Sequence, residues 1–274
     1  MKKTFDKTEI RLASFDIDET IYTDGRRDGT YEEFMSTAVS SAMVRLSQTG
    51  IKTVLATGRG HYSLPRCIMD LGIFRYAVCN NGTIVWDFEK DCPVLWRPFD
   101  SKLVYGLFKL LPTLTDTYYA TFDKEYRRDP KNWHQLTQKQ RSVELFNVLA
   151  KNSHNVFKVG CRFNSIEAAE QAAIKIREKF DVEAFVVEHI YLEITPKGVH
   201  KGNGLAVLCK HLGVELSNVI AFGDSGNDVD LFKLVRYAVA VENGQESAKK
   251  AADYIAPGVQ NDGVAKAIKE LFGI

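Results

Sequence analysis

The chain has 274 residues, 45% hydrophobic and 26% charged, with 36 Lys and Arg against 35 Asp and Glu. That balance describes a globular protein of one large or two modest domains, and it excludes a bulk basic surface for nucleic acid or an anionic membrane. No apolar run approaches the ~20 residues of a membrane span, and the charged residues 1–9 are not followed by an apolar leader stretch, so a cytoplasmic protein is expected. Five cysteines (Cys67, Cys79, Cys92, Cys161 and Cys209) form an odd set without a CxxC pair. Reduced thiols fit that pattern better than a disulfide framework or a thiolate zinc site.

In chain order, residues 10–17 read as an apolar strand ending in Asp16-Ile17-Asp18, and a polar loop covers 23–29. A helix is expected over 31–48, with Phe34, Ala38, Ala42 and Leu46 at near-helical spacing and Gly50 as its stop. A strand over 51–56, a helix over 63–71 and a strand over 76–79 follow. The alternation predicts a parallel α/β sheet with helices on its faces. Residues 85–195 differ: they hold Trp86, Trp96, Tyr118, Tyr119 and Trp133, and read as two helix-plus-strand units. These are a helix at 101–111 with a strand at 118–122, then a strand at 155–163, a helix at 165–180 and strands at 182–187 and 191–195. The tail returns to the first pattern, with helices at 201–212, 228–234, 245–252 and 263–271 and strands at 218–222, 237–241 and 254–256.

The chemistry-bearing residues sit at strand ends, where open α/β sheets bind ligands. Asp16 and Asp18 are two apart, and strand alternation would converge them on one point, where a hard cation such as Mg²⁺ would relieve their repulsion. Asp224, Asn227 and Asp228 offer oxygen ligands within one turn after the strand at 218–222, and the same residues are ordinary helix caps. Thr57-Gly58-Arg59 follows the strand at 51–56 and offers a hydroxyl and backbone N–H groups to a phosphate. The Gly58-Arg59-Gly60 run lacks the third glycine of a dinucleotide fingerprint, and no paired-histidine spacing supports zinc. Lys201 opens a helix, and its ammonium would offset charge beside the acids.

Four ordered blocks, Asp16–Thr20 (DIDET), Thr57–Arg59 (TGR), Gly198–Gly202 (GVHKG) and Gly223–Asp228 (GDSGND), resemble the haloacid dehalogenase (HAD) superfamily of phosphatases. Asn80-Asn81-Gly82-Thr83 and the stretch 192–202 are similar to its Cof-like branch, which carries a type IIB cap. The resemblance implies a Rossmann-like parallel-sheet core over 1–84 and 196–274, with an inserted α+β cap domain over 85–195 that sets substrate specificity. It implies Asp16 as the phosphorylated nucleophile and Asp18 as general acid/base, the Asp18 carbonyl also ligating Mg²⁺. Asp16, Asp18 and Asp224 would hold the metal. Ile17 (by its N–H), Thr57, Gly58, Lys201 and Asn227 would bind phosphate, and Asp228 and Arg59 would support these groups from behind. Glu19 departs from the family, many of whose members carry glycine there, and its side chain is expected to face solvent. The implied reaction is Mg²⁺-dependent hydrolysis of a small phosphomonoester, with sugar phosphates foremost. A phosphomutase of the same superfamily, a phospho-acceptor module and a non-catalytic binder are the alternatives. Lys124, Arg127, Arg128, Trp133, His134 and Arg162 are candidate contacts to the leaving group. His61 and His200 lie beside two of the blocks.

Overall fold

The computed structural model describes residues 3–23, 26–27, 30–31, 34–115, 117–121, 155–187 and 190–274. The chain divides into two compact units, Met1–Leu95 with His200–Ile274, and Trp96–Val199. The first division falls at 95/96 rather than the expected 84/85. Two further strands, residues 84–87 and 92–96, extend the first unit's sheet, the first mostly buried and the second an exposed edge without a burial pattern to mark it in the sequence.

The strands, in chain order, are β1 (Leu12–Phe15), β2 (Arg26–Arg27), β3 (Thr30–Tyr31), β4 (Lys52–Ala56), β5 (Phe74–Cys79), β6 (Ile84–Asp87), β7 (Cys92–Trp96), β8 (Thr117–Thr121), β9 (Lys158–Arg162), β10 (Val182–Val187), β11 (Tyr191–Pro196), β12 (Val219–Gly223), β13 (Tyr237–Val241) and β14 (Tyr254–Ala256). The α-helices are α1 (Thr37–Gln48), α2 (Arg66–Met69), α3 (Ser101–Leu110), α4 (Ile166–Lys179), α5 (Lys201–Leu212), α6 (Val229–Leu234), α7 (Glu246–Ala251) and α8 (Gly263–Phe272).

The first unit is built on one eight-stranded sheet of order β14-β13-β12-β1-β4-β5-β6-β7. Strands β14 to β5 in that order are mutually parallel, and β6 turns back antiparallel to β5. From β1 the chain runs outward through β4 and β5, then returns on the other side of β1 through β12, β13 and β14. That reversal opens a crevice at the carboxyl ends of β1 and β12. Helices cover both faces, so β1, β12 and β13 are buried at every position. Leu12, Val54, Val78, Leu205, Leu208, Ala221 and Phe232 belong to one cluster under α5 and α6. On the central pair, Phe15 stacks on its register partner Phe222 with centroids 4.9 Å apart.

The expected helix over 31–48 begins only at Thr37. Ser36 caps it by accepting the Val39 N–H at 3.1 Å, while Phe34 is exposed and bridges to Thr23. The helix expected over 63–71 shrinks to the single turn α2, since Pro65 fixes extended backbone at its start. Helix α5 begins at the expected Lys201. His200 is its N-cap, accepting the Asn203 N–H on Nδ1 at 3.3 Å, which gives that histidine a structural role.

The second unit carries a four-stranded antiparallel sheet, order β10-β11-β9-β8, with α3 and α4 on one face. Val159, Cys161, Leu192 and Ile194 pack there against Leu107, Phe108 and Ile176. Alternation sends Lys158 and Glu193 to the other face, where they form a buried ion pair. Of the six candidate leaving-group contacts, only Arg162 is among the described residues. It is exposed, with its guanidinium 5.9 Å from the Tyr191 ring centroid. Lys124, Arg127, Arg128, Trp133 and His134 lie outside the described residues.

Close approach of α5 to the end of β5 rests on Gly82, whose φ is +99° and where a Cβ would fall 2.2 Å from the His200 carbonyl oxygen. Gly213, at φ +65°, has open space around it instead. Thermal melting should therefore rank two substitutions. Gly82→Ala combines strain with a backbone clash and should cost about 3 kcal/mol, whereas Gly213→Ala should cost only the ~1 kcal/mol of a left-handed residue.

Candidate active site

Five loops leave the carboxyl ends of adjacent strands, and the sheet order brings the acidic ones together. After β1 the backbone does not continue extended. The Ile17 carbonyl accepts the N–H groups of Thr20, Ile21 and Tyr22 at 3.0–3.3 Å, closing a tight turn. Asp16, at the strand end, is 5% exposed. The loop after β12 places Asp224 and Asp228 against it, so that carboxylate oxygens of Asp16, Asp224 and Asp228 lie within 4.8 Å of one another.

Lys201, 0% exposed, enters from the first turn of α5. Its Nζ lies 2.8 Å from Asp16 Oδ1 and 2.8 Å from Asp228 Oδ1. The other oxygen of Asp228 accepts the N–H groups of Asp224 and Ser225, both at 3.1 Å. Asp228 thus ties the loop to the lysine. Asn227 spends its amide inside the protein, donating to Asn81 Oδ1 at 3.0 Å and accepting the Ser225 hydroxyl at 2.8 Å. It ties the β12 loop to the turn after β5. Thr57 is fully buried at the end of β4, its hydroxyl accepting the Arg59 N–H at 3.1 Å, with Gly58 between them. The Ile17 side chain is buried beneath the turn.

Asp18 does not join the carboxylate cluster that period-two alternation predicts. The strand ends at Phe15, the turn redirects the chain, and Arg59 grips both Asp18 oxygens: Nη2 to Oδ1 at 2.5 Å, Nε to Oδ2 at 2.9 Å and Nε to Oδ1 at 3.1 Å. The same guanidinium lies 5.4 Å from the Tyr22 ring centroid. Glu19 also differs from expectation. Its φ is +56°, the left-handed region that favours glycine, and it is half-buried, accepting the Thr23 hydroxyl at 3.1 Å. Sequence reading gave no site role to Asn81, which accepts from the Asn227 amide, and missed Asn243 and Gln245, which bind backbone groups of the site loops.

Burial pushes the Asp16 carboxyl up to about 7, against the pull of Lys201, and the neighbouring Asp228 and Asp18 charges add to the rise. Burial likewise raises Asp224 well above the usual carboxylate range, reinforced by Asp16 and Asp228. Lys201 loses solvation too, yet the Asp16 and Asp228 carboxylates more than compensate and hold it charged. One ammonium facing three carboxylates leaves a buried excess of negative charge. The all-oxygen donor set fits a hard divalent cation, which would be held by Asp16 and Asp224.

A model of haloacid dehalogenase-like hydrolases matches residues 13–268. The chain belongs to that family. Among curated relatives, it is 24% identical over 261 residues to the 5-amino-6-(5-phospho-D-ribitylamino)uracil phosphatase YcsE of Bacillus subtilis, covering 95% of each chain. It is 27% identical over 261 residues to a phosphoglycolate phosphatase of Methanobrevibacter smithii, covering 95% of this chain and 98% of that one. Among solved structures, the HAD subclass IIB sugar phosphatase BT4131 superposes with TM-score 0.76 at 19% identity, over 96% of this chain and 100% of that one. BT1666 from Bacteroides thetaiotaomicron gives TM-score 0.74 at 22% identity, over 97% and 96%. These likenesses bear out the expected superfamily and its capped IIB-type fold. Among the described residues no helix is long and apolar enough to cross a membrane.

The acidic cluster predicts a pH dependence of stability. Asp16 releases its proton near 3.8 when unfolded and near 7 in the fold. Its contribution is present in full below the unfolded value and lost as pH rises through 7. In EDTA the melting temperature should climb as pH falls from 8 to 6, and MgCl₂, replacing the proton, should flatten that slope.

Proposed function

We propose that this hydrolase is a Mg²⁺-dependent phosphatase of small phosphomonoesters, sugar phosphates foremost, acting through an aspartyl-phosphate on Asp16. The observation that carries the reading is the buried Lys201 held between Asp16 and Asp228, with Asp224 completing an oxygen cage. Asp16, Asp224 and the Asp18 carbonyl would hold the metal, whose charge would offset that on the phosphoryl oxygens. Asp16 attacks phosphorus with one carboxylate oxygen, and the bond from phosphorus to the leaving oxygen breaks. Asp18 gives its proton to that oxygen and the alcohol departs. Asp18 then takes a proton from water, whose oxygen bonds to phosphorus as the phosphorus–Asp16 bond breaks and phosphate leaves. Arg59 spans both oxygens of Asp18, so one of those bonds yields before Asp18 exchanges a proton.

Lys201, the Thr57 hydroxyl and the N–H groups of Ile17 and Gly58 are assigned to the phosphate. Asn227 acts by fixing the loop rather than by a side-chain amide turned to substrate, since that amide is engaged with Asn81 and Ser225. The inserted unit is assigned the choice of leaving group. The relatives' names support a phosphate carried by a small polar alcohol: one acts on a phosphoribityl compound, another on phosphoglycolate.

A phosphate-release screen across phosphorylated metabolites should find turnover that EDTA abolishes. Asp16→Asn should lower it at least ~1,000-fold, with the thermal melt showing an intact fold. No release from any member of the panel, or full activity in Asp16→Asn, would overturn the reading. An isomerised product without free phosphate would reassign the chain to the mutases.

A further inference from the structure

The segment between β13 and α7, Glu242 to Gln245, carries none of the recognised blocks, yet it touches both acidic loops. The Gln245 N–H donates to the Asp224 carbonyl at 2.7 Å, and its side-chain Oε1 accepts the Gly226 N–H at 2.9 Å. Between them, Gly244 lies so close that a Cβ there would fall 2.6 Å from the Asp224 carbonyl oxygen and 3.0 Å from its Cα. Asn243 reaches the other way. Its Nδ2 donates to the Glu19 carbonyl at 2.8 Å, and its Oδ1 accepts the Val259 N–H at 2.8 Å, which anchors it. The loop bearing Asp224 and the turn bearing Asp18 are thus joined through one three-residue crosspiece.

Two details set this apart from ordinary loop packing. Asn243 grips the carbonyl of Glu19, one of five described non-glycine residues with a positive φ, here +56°. Gln245 Nε2 is buried with no hydrogen-bond partner among the described residues. An amide buried with its donor unused carries a desolvation penalty that an apolar side chain would avoid. Its acceptor oxygen, fixed on Gly226, is therefore the working end.

We propose that Asn243 and Gln245 are positioning residues that set the spacing between the Asp16–Tyr22 turn and the Asp224 loop, and through it the affinity of the cation site. The proposal rests on the reading of Asp16 and Asp224 as cation ligands. Groups behind metal ligands typically govern affinity by 10- to 100-fold without touching the ion.

The test is a Mg²⁺ titration of the full chain read by thermal shift, with the melting temperature in EDTA as reference. Asn243→Ala and Gln245→Met should each raise the half-saturating Mg²⁺ concentration about tenfold, with little change in the EDTA melt. In the Asn243→Ala background, Glu19→Gly should recover much of the loss, because glycine holds the left-handed turn without the tie. Should Gln245→Met fail to fold, Asn243→Ala, at an exposed position, carries the test with its Glu19→Gly rescue. Wild-type Mg²⁺ midpoints with a lowered EDTA melt would overturn the proposal and leave the crosspiece a packing feature. Failure of the underlying reading looks different: the wild-type chain itself would show no Mg²⁺-dependent shift.

Discussion

A lysine ammonium with no exposed surface is tolerable only when its charge is matched where it sits. Lys201 meets that condition through Asp16 from β1 and Asp228 from the turn after β12, and much of the first unit serves the encounter. Helix α5 must bring its first turn to the carboxyl ends of the sheet. Gly82 and Gly204 permit it, since a Cβ on either would meet backbone of the other segment or the Val78 side chain within 3 Å. Asp228 must face two ways, and it does so by holding the lysine on one oxygen and the Asp224 and Ser225 N–H groups on the other. A change at any of these points leaves a buried charge uncompensated.

Two carboxylates only two residues apart acquire different surroundings by the same economy of contacts. Asp16 is enclosed, with an ammonium and further acids as neighbours; Asp18 is half-buried and faces a guanidinium beside the Tyr22 ring. The strand stops at Phe15, and the turn closed on the Ile17 carbonyl carries Asp18 to Arg59 while Asp16 stays against Lys201. The roles proposed for them, nucleophile and general acid/base, would call for such unlike environments.

Much of this architecture was legible in the sequence because it follows from burial. Strands covered on both faces read as unbroken apolar runs, and β12 and β13 emerge within a residue of the expected bounds. What escaped lacks such a signature. Phe34 sits at helical spacing with Ala38 and Ala42 but is exposed, and the capping hydroxyl of Ser36 decides where α1 starts. Strand β7 is an edge strand largely open to solvent, without alternation to reveal it. The direction of Asp18 was misread because period-two reasoning was carried past Phe15, where the strand stops. Asn243 and Gln245 act partly on carbonyls, which every residue offers, so no motif records them.

The charge arithmetic of the cluster also bears on the order of events under the proposed chemistry. Three carboxylates against one ammonium repel a phosphate dianion, and Lys201 is already committed on both sides. The Arg59 guanidinium is engaged with Asp18. Under that chemistry a divalent cation would serve substrate entry as well as bond-breaking, taking over from protons the charge balance of the buried acids. With a cation in place, Asp16 would lose its reason to hold a proton near neutral pH and would be free for the attack proposed for it. The raised proton affinity of the metal-free site and its preference for a hard cation are therefore two expressions of one unbalanced charge.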